Sequence, residues 1–135
     1  METALLAIRG PFETYCSRLG VRPIFRTYPA DDGAAHVEFD GHFYHYVSCE
    51  RGRENERRIA SGEDEILYWL LSDIVFALAC DFELKHRVKG RSFRRLLFSK
   101  ELELMRTLNA QWEVRKRNEI NEILAKAPYN DAIEG

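Results

Sequence analysis

The sequence lacks the paired cysteines and the glycine-rich loops that identify the chemistry of many small proteins. Its three cysteines, Cys16, Cys49 and Cys80, are widely spaced and form no Cys-x-x-Cys pair. This spacing favours reduced thiols over a disulfide framework or a cysteine-based zinc site. No Gly-x-Gly occurs among the eight glycines, so no phosphate-binding loop is indicated.

An excess of one charge and a membrane-length apolar run are also missing. Lys and Arg number 20 against 22 for Asp and Glu, a balance that argues against a general polyanion binder. The most apolar window, Ile66 to Cys80, is too short to span a membrane and contains Ser72 and Asp73. The N-terminus has no signal-peptide pattern. We therefore expect a cytoplasmic protein of one domain, residues 1–135, with no membrane partner.

The first half of the chain predicts a helix followed by a small sheet. Apolar residues from Leu5 to Leu19 follow helical spacing, although Pro11 must kink or restart that helix. Residues 24–28, between two prolines, predict a strand. Asp40-Gly41 predicts a two-residue hairpin turn. That turn would pair Phe39 with His42, Val37 with Tyr44 and Ala35 with Tyr46, and would set His36 opposite His45.

The second half predicts three helices. Ser61 and Asp64 favour a helix start, and an almost wholly apolar helix is expected over residues 62–86. Ser92 should cap the next helix, and Asn109 should begin the last, which Pro128 ends. We expect residues 129–135 to fray. The predicted class is α+β: an N-terminal helix, a three-stranded antiparallel meander, and three C-terminal helices packed on one face around a central apolar helix.

Catalytic and metal-binding patterns are weak. His36, His45 and Glu38 would share one face of the sheet, so a metal-dependent enzyme is the least favoured of three hypotheses. A solvent-facing polar surface explains these residues better, because zinc sites usually supply four ligands, or three and a water. No serine or cysteine has the context of a nucleophile. We therefore expect a protein that is not an enzyme, with no cofactor, no metal and no small-molecule substrate.

Two charged segments remain. Residues 50–58 mix both signs in the predicted connection between sheet and core helix, whereas residues 85–95 hold six cations and no acid. A small nucleic-acid-binding regulator using arginines 87, 91, 94 and 95 is the alternative function. The preferred interpretation is that these cations pair with acidic side chains and with carbonyls at a helix end, because no exposed aromatic residues are interleaved with them for base stacking. Glu83 and Arg87 have the i,i+4 spacing of a structural ion pair.

Several short motifs, taken in order, resemble the immunity protein 63 family. They span roughly residues 44–131: Tyr46, then Glu50-Arg51-Gly52 and Glu54, then Glu65-Ile66-Leu67-Tyr68-Trp69, then Glu83 and Arg87, then Phe93-Arg94-Arg95 and Phe98, then Trp112, and finally Ala127-Pro128-Tyr129-Asn130-Asp131. The members of this family are predicted antidotes encoded beside toxins of bacterial polymorphic and contact-dependent inhibition systems. The resemblance carries no catalytic residues.

The resemblance implies a binding function. The protein would sequester a cognate toxin domain, often a nuclease, by occluding its active site or its substrate approach. Tight capture of this kind depends on a few desolvated anchors and on charge complementarity. A net charge of −2 is a weak signal, so an acidic binding surface must be local. The candidate toxin-binding residues are Glu50, Arg53, Glu54, Glu56 and Arg57; a solvated loop with internal salt bridges is the other interpretation.

Overall fold

The computed structural model describes residues 2–135, with side chains from residue 3 onward. An N-terminal helix precedes a three-stranded antiparallel sheet of order β1-β2-β3, and helices follow it, which confirms the α+β class. No helix in the described part is long and apolar enough to cross a membrane. The elements are α1 (Glu2–Arg18), β1 (Asp32–Phe39), β2 (Tyr44–Glu50), β3 (Arg53–Ile59), α2 (Glu63–Lys85), α3 (Phe93–Leu108), α4 (Ala110–Lys126) and α5 (Asp131–Glu134).

Two compact units divide the chain between Ser72 and Asp73, a point inside α2. The first holds α1, the sheet and the start of α2, and the second holds the rest of α2 with α3, α4 and α5. Organisation as a single domain stays a prediction.

Helix α1 supplies one wall of the core of the first unit. It continues through Pro11, so the helix neither stops nor restarts at that residue. Ile8, Phe12 and Cys16 are buried along one face, as their four-residue spacing predicts. Burial raises the pKa of the Cys16 thiol to about 11, so this cysteine is an inert core residue.

The predicted strand over residues 24–28 is wrong, and the strand that completes the sheet is β3. Residues 24–28 lie outside any strand, although Arg26 accepts a backbone hydrogen bond from Val37 of β1 at 3.0 Å. Residues 53–59, expected within a connection, instead pair antiparallel with β2. Six of these seven side chains are charged or polar and carry no apolar period, so the hydrophobic pattern could not reveal this strand.

The predicted two-residue turn at Asp40-Gly41 is also wrong. Phe39 pairs with Tyr44, Val37 with Tyr46 and His36 with Val47, so the turn holds four residues, 40–43. The Asp40 carboxylate decides this, because its Oδ1 accepts from the backbone N–H groups of His42 at 2.8 Å and Phe43 at 2.7 Å. The shift is two residues, an even number, so each residue keeps its predicted face and only its partner changes.

The second unit has its own apolar core and well-formed helix starts. Ala79 of α2, Leu97 and Phe98 of α3, and Ile120 of α4 form a buried cluster. Ser92 Oγ accepts from the N–H of Arg94, and Asn109 Oδ1 accepts from the N–H groups of Gln111 and Trp112. Both caps agree with the prediction, because a side-chain acceptor at this position satisfies an otherwise free helix N–H.

The tail does not fray as expected but closes over the start of α3. We call these contacts the tail clasp. Asp131 Oδ1 accepts from the backbone N–H of Ser92 at 2.6 Å, and Ser92 Oγ hydrogen-bonds Glu134. Arg94 donates to the carbonyls of Ala127 and Pro128, both at 2.8 Å, and pairs with Glu134. Because α3 has no acid in its first turn, the tail supplies the negative charge that a helix start favours.

Candidate functional site

One face of the sheet carries a network centred on Arg57. Its guanidinium donates to Glu38 of β1 at 3.1 Å, to His45 of β2 at 2.9 Å, and twice to Glu54 of β3 at 3.1 and 2.8 Å. One arginine therefore connects all three strands. The members of this sheet network are His36, Glu38, Asp40, His45, Glu54 and Arg57.

A β-bulge makes the contact between Glu54 and Arg57 possible. Side chains three residues apart on a regular strand point to opposite faces. Ser48 pairs with Glu56 whereas Cys49 pairs with Glu54, so Asn55 is an extra residue on β3. The bulge returns Glu54 to the face of Arg57, where its Oε1 accepts from both Nε and Nη2 of the guanidinium.

The two histidines are fixed in one tautomer by their neighbours. A guanidinium has no acceptor, so His45 Nδ1 must accept from Arg57, and His45 Nε2 then donates to Asp40 Oδ2 at 2.7 Å. His36, 1% exposed, donates through Nε2 to Glu38 Oε2 at 2.8 Å, whereas its Nδ1 is buried without a hydrogen-bond partner. Hydrogen bonds to carboxylates of the sheet network therefore hold both rings in place.

The sheet network is acidic. Hydrogen bonding from His36 lowers the pKa of Glu38, and hydrogen bonding from Arg57 lowers that of Glu54. The N–H of Phe43, and then His45, hold the pKa of Asp40 well below its usual range. Arg57 thus binds two ionised carboxylates directly and connects to a third, Asp40, through His45, while Glu38, Asp40 and Glu54 remain between 43 and 45% exposed.

The geometry offers no metal centre at these histidines. Both ring nitrogens of His45 are engaged by Arg57 and Asp40, and the outward nitrogen of His36 is engaged by Glu38. Across the described residues, no three His, Cys, Asp or Glu side chains converge as metal ligands. The arrangement instead holds charged groups at fixed positions.

Arg58 occupies the opposite face of the same strand. Its guanidinium carbon lies 4.1 Å from the centre of the Tyr46 ring and 4.8 Å from that of Trp69. These two rings meet edge to face with centres 6.2 Å apart. Arg58 Nε is 3.2 Å from a Glu56 oxygen but is misaligned, so the charges pair without a hydrogen bond. Cation–π contacts of this type stabilise an exposed strand that buries little apolar surface.

The candidate toxin-binding residues all lie on β3 or beside it. Glu54 and Arg57 contact each other, Glu56 pairs with Arg58, and Glu50 accepts a hydrogen bond from Asn55 at 3.3 Å. Arg53 lies opposite Glu50 in the register of β2 and β3 and is exposed.

Sequence reasoning missed Glu38, His45 and Arg58 as partners in this region. Their shared sheet face was predicted correctly, but their partner Arg57 was not, because residues 53–59 were expected in a connection and not in a strand. No local signal marked Arg58, whose aromatic partners are remote in sequence.

Most of the arginines of the alternative nucleic-acid hypothesis are already engaged. Arg87 donates to Glu83 at 3.0 and 2.8 Å, in the pairing expected from their spacing. Arg95 donates to Asp131 at 2.9 and 3.1 Å and lies over the Tyr129 ring at 4.2 Å. Arg94 is held by the tail clasp. Within the described residues, these three arginines therefore belong to internal ion pairs.

Comparison with known proteins assigns the family. The family model described as immunity protein 63 matches residues 40–122, which is more than half of the chain. The match includes the β2–β3 hairpin and most of the sheet network, and it ends before the tail residues of the tail clasp. No curated protein and no solved structure matches the chain. The match confirms the resemblance, and the chain belongs to the immunity protein 63 family.

Proposed function

We propose that this protein neutralises a cognate bacterial toxin domain by stoichiometric binding, without catalysis. Membership of the immunity protein 63 family carries the proposal. The toxin would belong to a polymorphic or contact-dependent inhibition system and would be met in the cytoplasm. Sequestration needs a surface that is ordered before the partner arrives, because ordering side chains on binding reduces affinity.

The sheet network supplies such a surface. Three carboxylates are held in place by Arg57 and two histidines while they remain partly exposed. An acidic patch complements the cationic groove with which a nuclease holds nucleic acid, and such complementarity accelerates capture. We therefore propose a nuclease toxin that docks on β3 and the sheet network. Its contacts would include Glu50, Arg53, Glu54, Glu56 and Arg57.

Co-expression with the C-terminal domain of the toxin encoded next to this gene tests the function. We expect rescue of growth, co-purification, and inhibition in vitro that is complete at one equivalent. An antidote that acted by chemistry would inhibit well below one equivalent. Failure of both rescue and co-purification would reject the proposal.

Charge removal tests the docking surface. The double variant Glu38→Gln/Glu54→Gln should slow association and weaken its dependence on salt. Glu103→Gln on α3, where the side chain is 62% exposed, is the matched control and should leave association unchanged. Equal rates for both variants would place the toxin elsewhere.

A further inference from the structure

The tip of the β2–β3 hairpin has an unusual composition. Glu50 and Arg53 pair across the strands, so only Arg51 and Gly52 form the turn. Their φ angles are 54° and 74°. Positive φ at both central residues is the requirement of a type I′ turn, whose first position favours Asn, Asp or Gly. A long side chain with a Cβ is disfavoured there, because the left-handed conformation crowds it against the backbone.

Among the described residues, only Asp31 and Arg51 have positive φ without being glycine. Aspartate visits this region readily, whereas arginine does not. The Arg51 side chain is exposed, and within the described chain it makes no hydrogen bond or ion pair that would offset the strain. A Cβ added at Gly52 would meet no atom within 4 Å, so the tip stands in open space.

The strands behind the tip are tied together. Asn55 donates to Glu50 across the hairpin, and Arg57 anchors Glu54 to the rest of the sheet network. These contacts therefore hold in place the two strands that carry Arg51. Backbone strain that serves no internal contact is typical of residues that face a ligand.

We infer that Arg51 is a toxin-contacting residue that enters a carboxylate-lined cleft of the partner. This inference rests on the proposed function and deepens it. A guanidinium fork matches a carboxylate in both charge and shape, and a desolvated pair of this kind can dominate an interface. Nucleases that use divalent metal ions hold them with carboxylates inside a cationic rim. Arg51 fits that centre, while the acidic sheet network, which begins at Glu54 on the same hairpin, fits the rim.

Arg51→Asn tests this inference, because asparagine accepts the left-handed backbone. The dissociation constant for the neighbouring toxin domain is measured by calorimetry at one fixed salt concentration, together with the Tm of each free variant. We expect at least a tenfold increase in the dissociation constant for Arg51→Asn, with a Tm equal to or above that of the wild type. A purely structural role would not produce this opposite movement of stability and affinity.

Two further variants complete the design. Arg22→Asn removes the same charge from an exposed position outside the hairpin and should stay within twofold of the wild type. Arg51→Gly, which also suits positive φ, should reproduce the loss of affinity. Wild-type affinity in both Arg51 variants, or an equal loss in Arg22→Asn, would overturn the inference alone. A wild-type chain that does not bind the toxin would overturn the proposed function and the inference together.

Discussion

Arg57 and Arg58 are adjacent in the sequence and fasten β3 from opposite faces of the sheet. Arg57 bonds to carboxylates of β1 and β3, whereas Arg58 stacks on Tyr46 and Trp69. The strand itself buries almost nothing, since its first five residues and Ile59 are exposed. Its attachment therefore depends on backbone pairing and on two guanidinium groups.

Removing either arginine should loosen β3. We expect Arg57→Gln and Arg58→Gln each to lower the free energy of unfolding by about 1 kcal/mol, because both partners are partly exposed. Hydrogen exchange should accelerate in β3 and remain unchanged in α4. Arg53→Gln is the matched control on the same strand and should stay within about 0.5 kcal/mol. Unchanged exchange in both variants would show that backbone pairing alone holds the strand.

Acid should destabilise the protein. Partner groups lower the pKa values of Glu38, Glu54 and Glu134 below the usual 4.5, and those of Asp40 and Asp131 below 3.8. The unfolded chain therefore binds more protons at these sites than the folded chain. The stability they contribute is complete above about pH 5 and is lost as pH falls through the lowered values. Urea midpoints between pH 7 and pH 3 check this; a constant midpoint would contradict it.

Glu101 should affect the pH dependence of stability in the opposite direction from these carboxylates. It is 5% exposed on α3, and burial raises its pKa despite the opposing charge of Lys116. Its ionised form is therefore a cost to the folded state above the raised pKa, and that cost disappears as the pH falls. We expect Glu101→Gln to stabilise the protein by roughly 1 kcal/mol at pH 8, and by progressively less towards pH 5. Destabilisation at pH 8 would show that the carboxylate is needed.

The tail clasp should be measurable as protection from exchange. We expect the amides of Ile133 and Glu134 to exchange more slowly than those of a free peptide. Ser92→Ala removes both the cap of α3 and a tail contact, and it should cost about 1 kcal/mol. It should also release the protection at Ile133. Ser99→Ala, on the same helix, is the control and should leave this protection intact. Full protection in Ser92→Ala would show that other contacts keep the tail in place.

The helices were the most predictable part of the fold. Ser92 and Asn109 mark helix starts through contacts with residues two or three positions away, and such local contacts are visible in sequence. The predicted bounds 62–86 for α2 differ from the observed Glu63–Lys85 by one residue at each end. Pro11 was ambiguous because its missing N–H weakens a helix without preventing one.

The sheet and the tail were harder to predict for identifiable reasons. Hydrophobic alternation finds strands that bury one face, and β3 has no such face. The register of the first hairpin is decided by the Asp40 side chain, which competes with the turn that its sequence favours. The tail is held by Arg94 and Arg95, more than thirty positions away, so local polarity wrongly indicated fraying.

Because charged side chains help to attach β3, a change in ionic strength should affect this strand more than the rest of the molecule. Apolar cores are indifferent to moderate sodium chloride, whereas exposed pairs weaken once the Debye length falls to a few ångströms. Concentrated salt should thus weaken the attachment of β3 while both cores stay folded. The same salt would slow the electrostatically assisted association with a partner. One change of solvent would therefore weaken both the recognition surface and the strand that carries it.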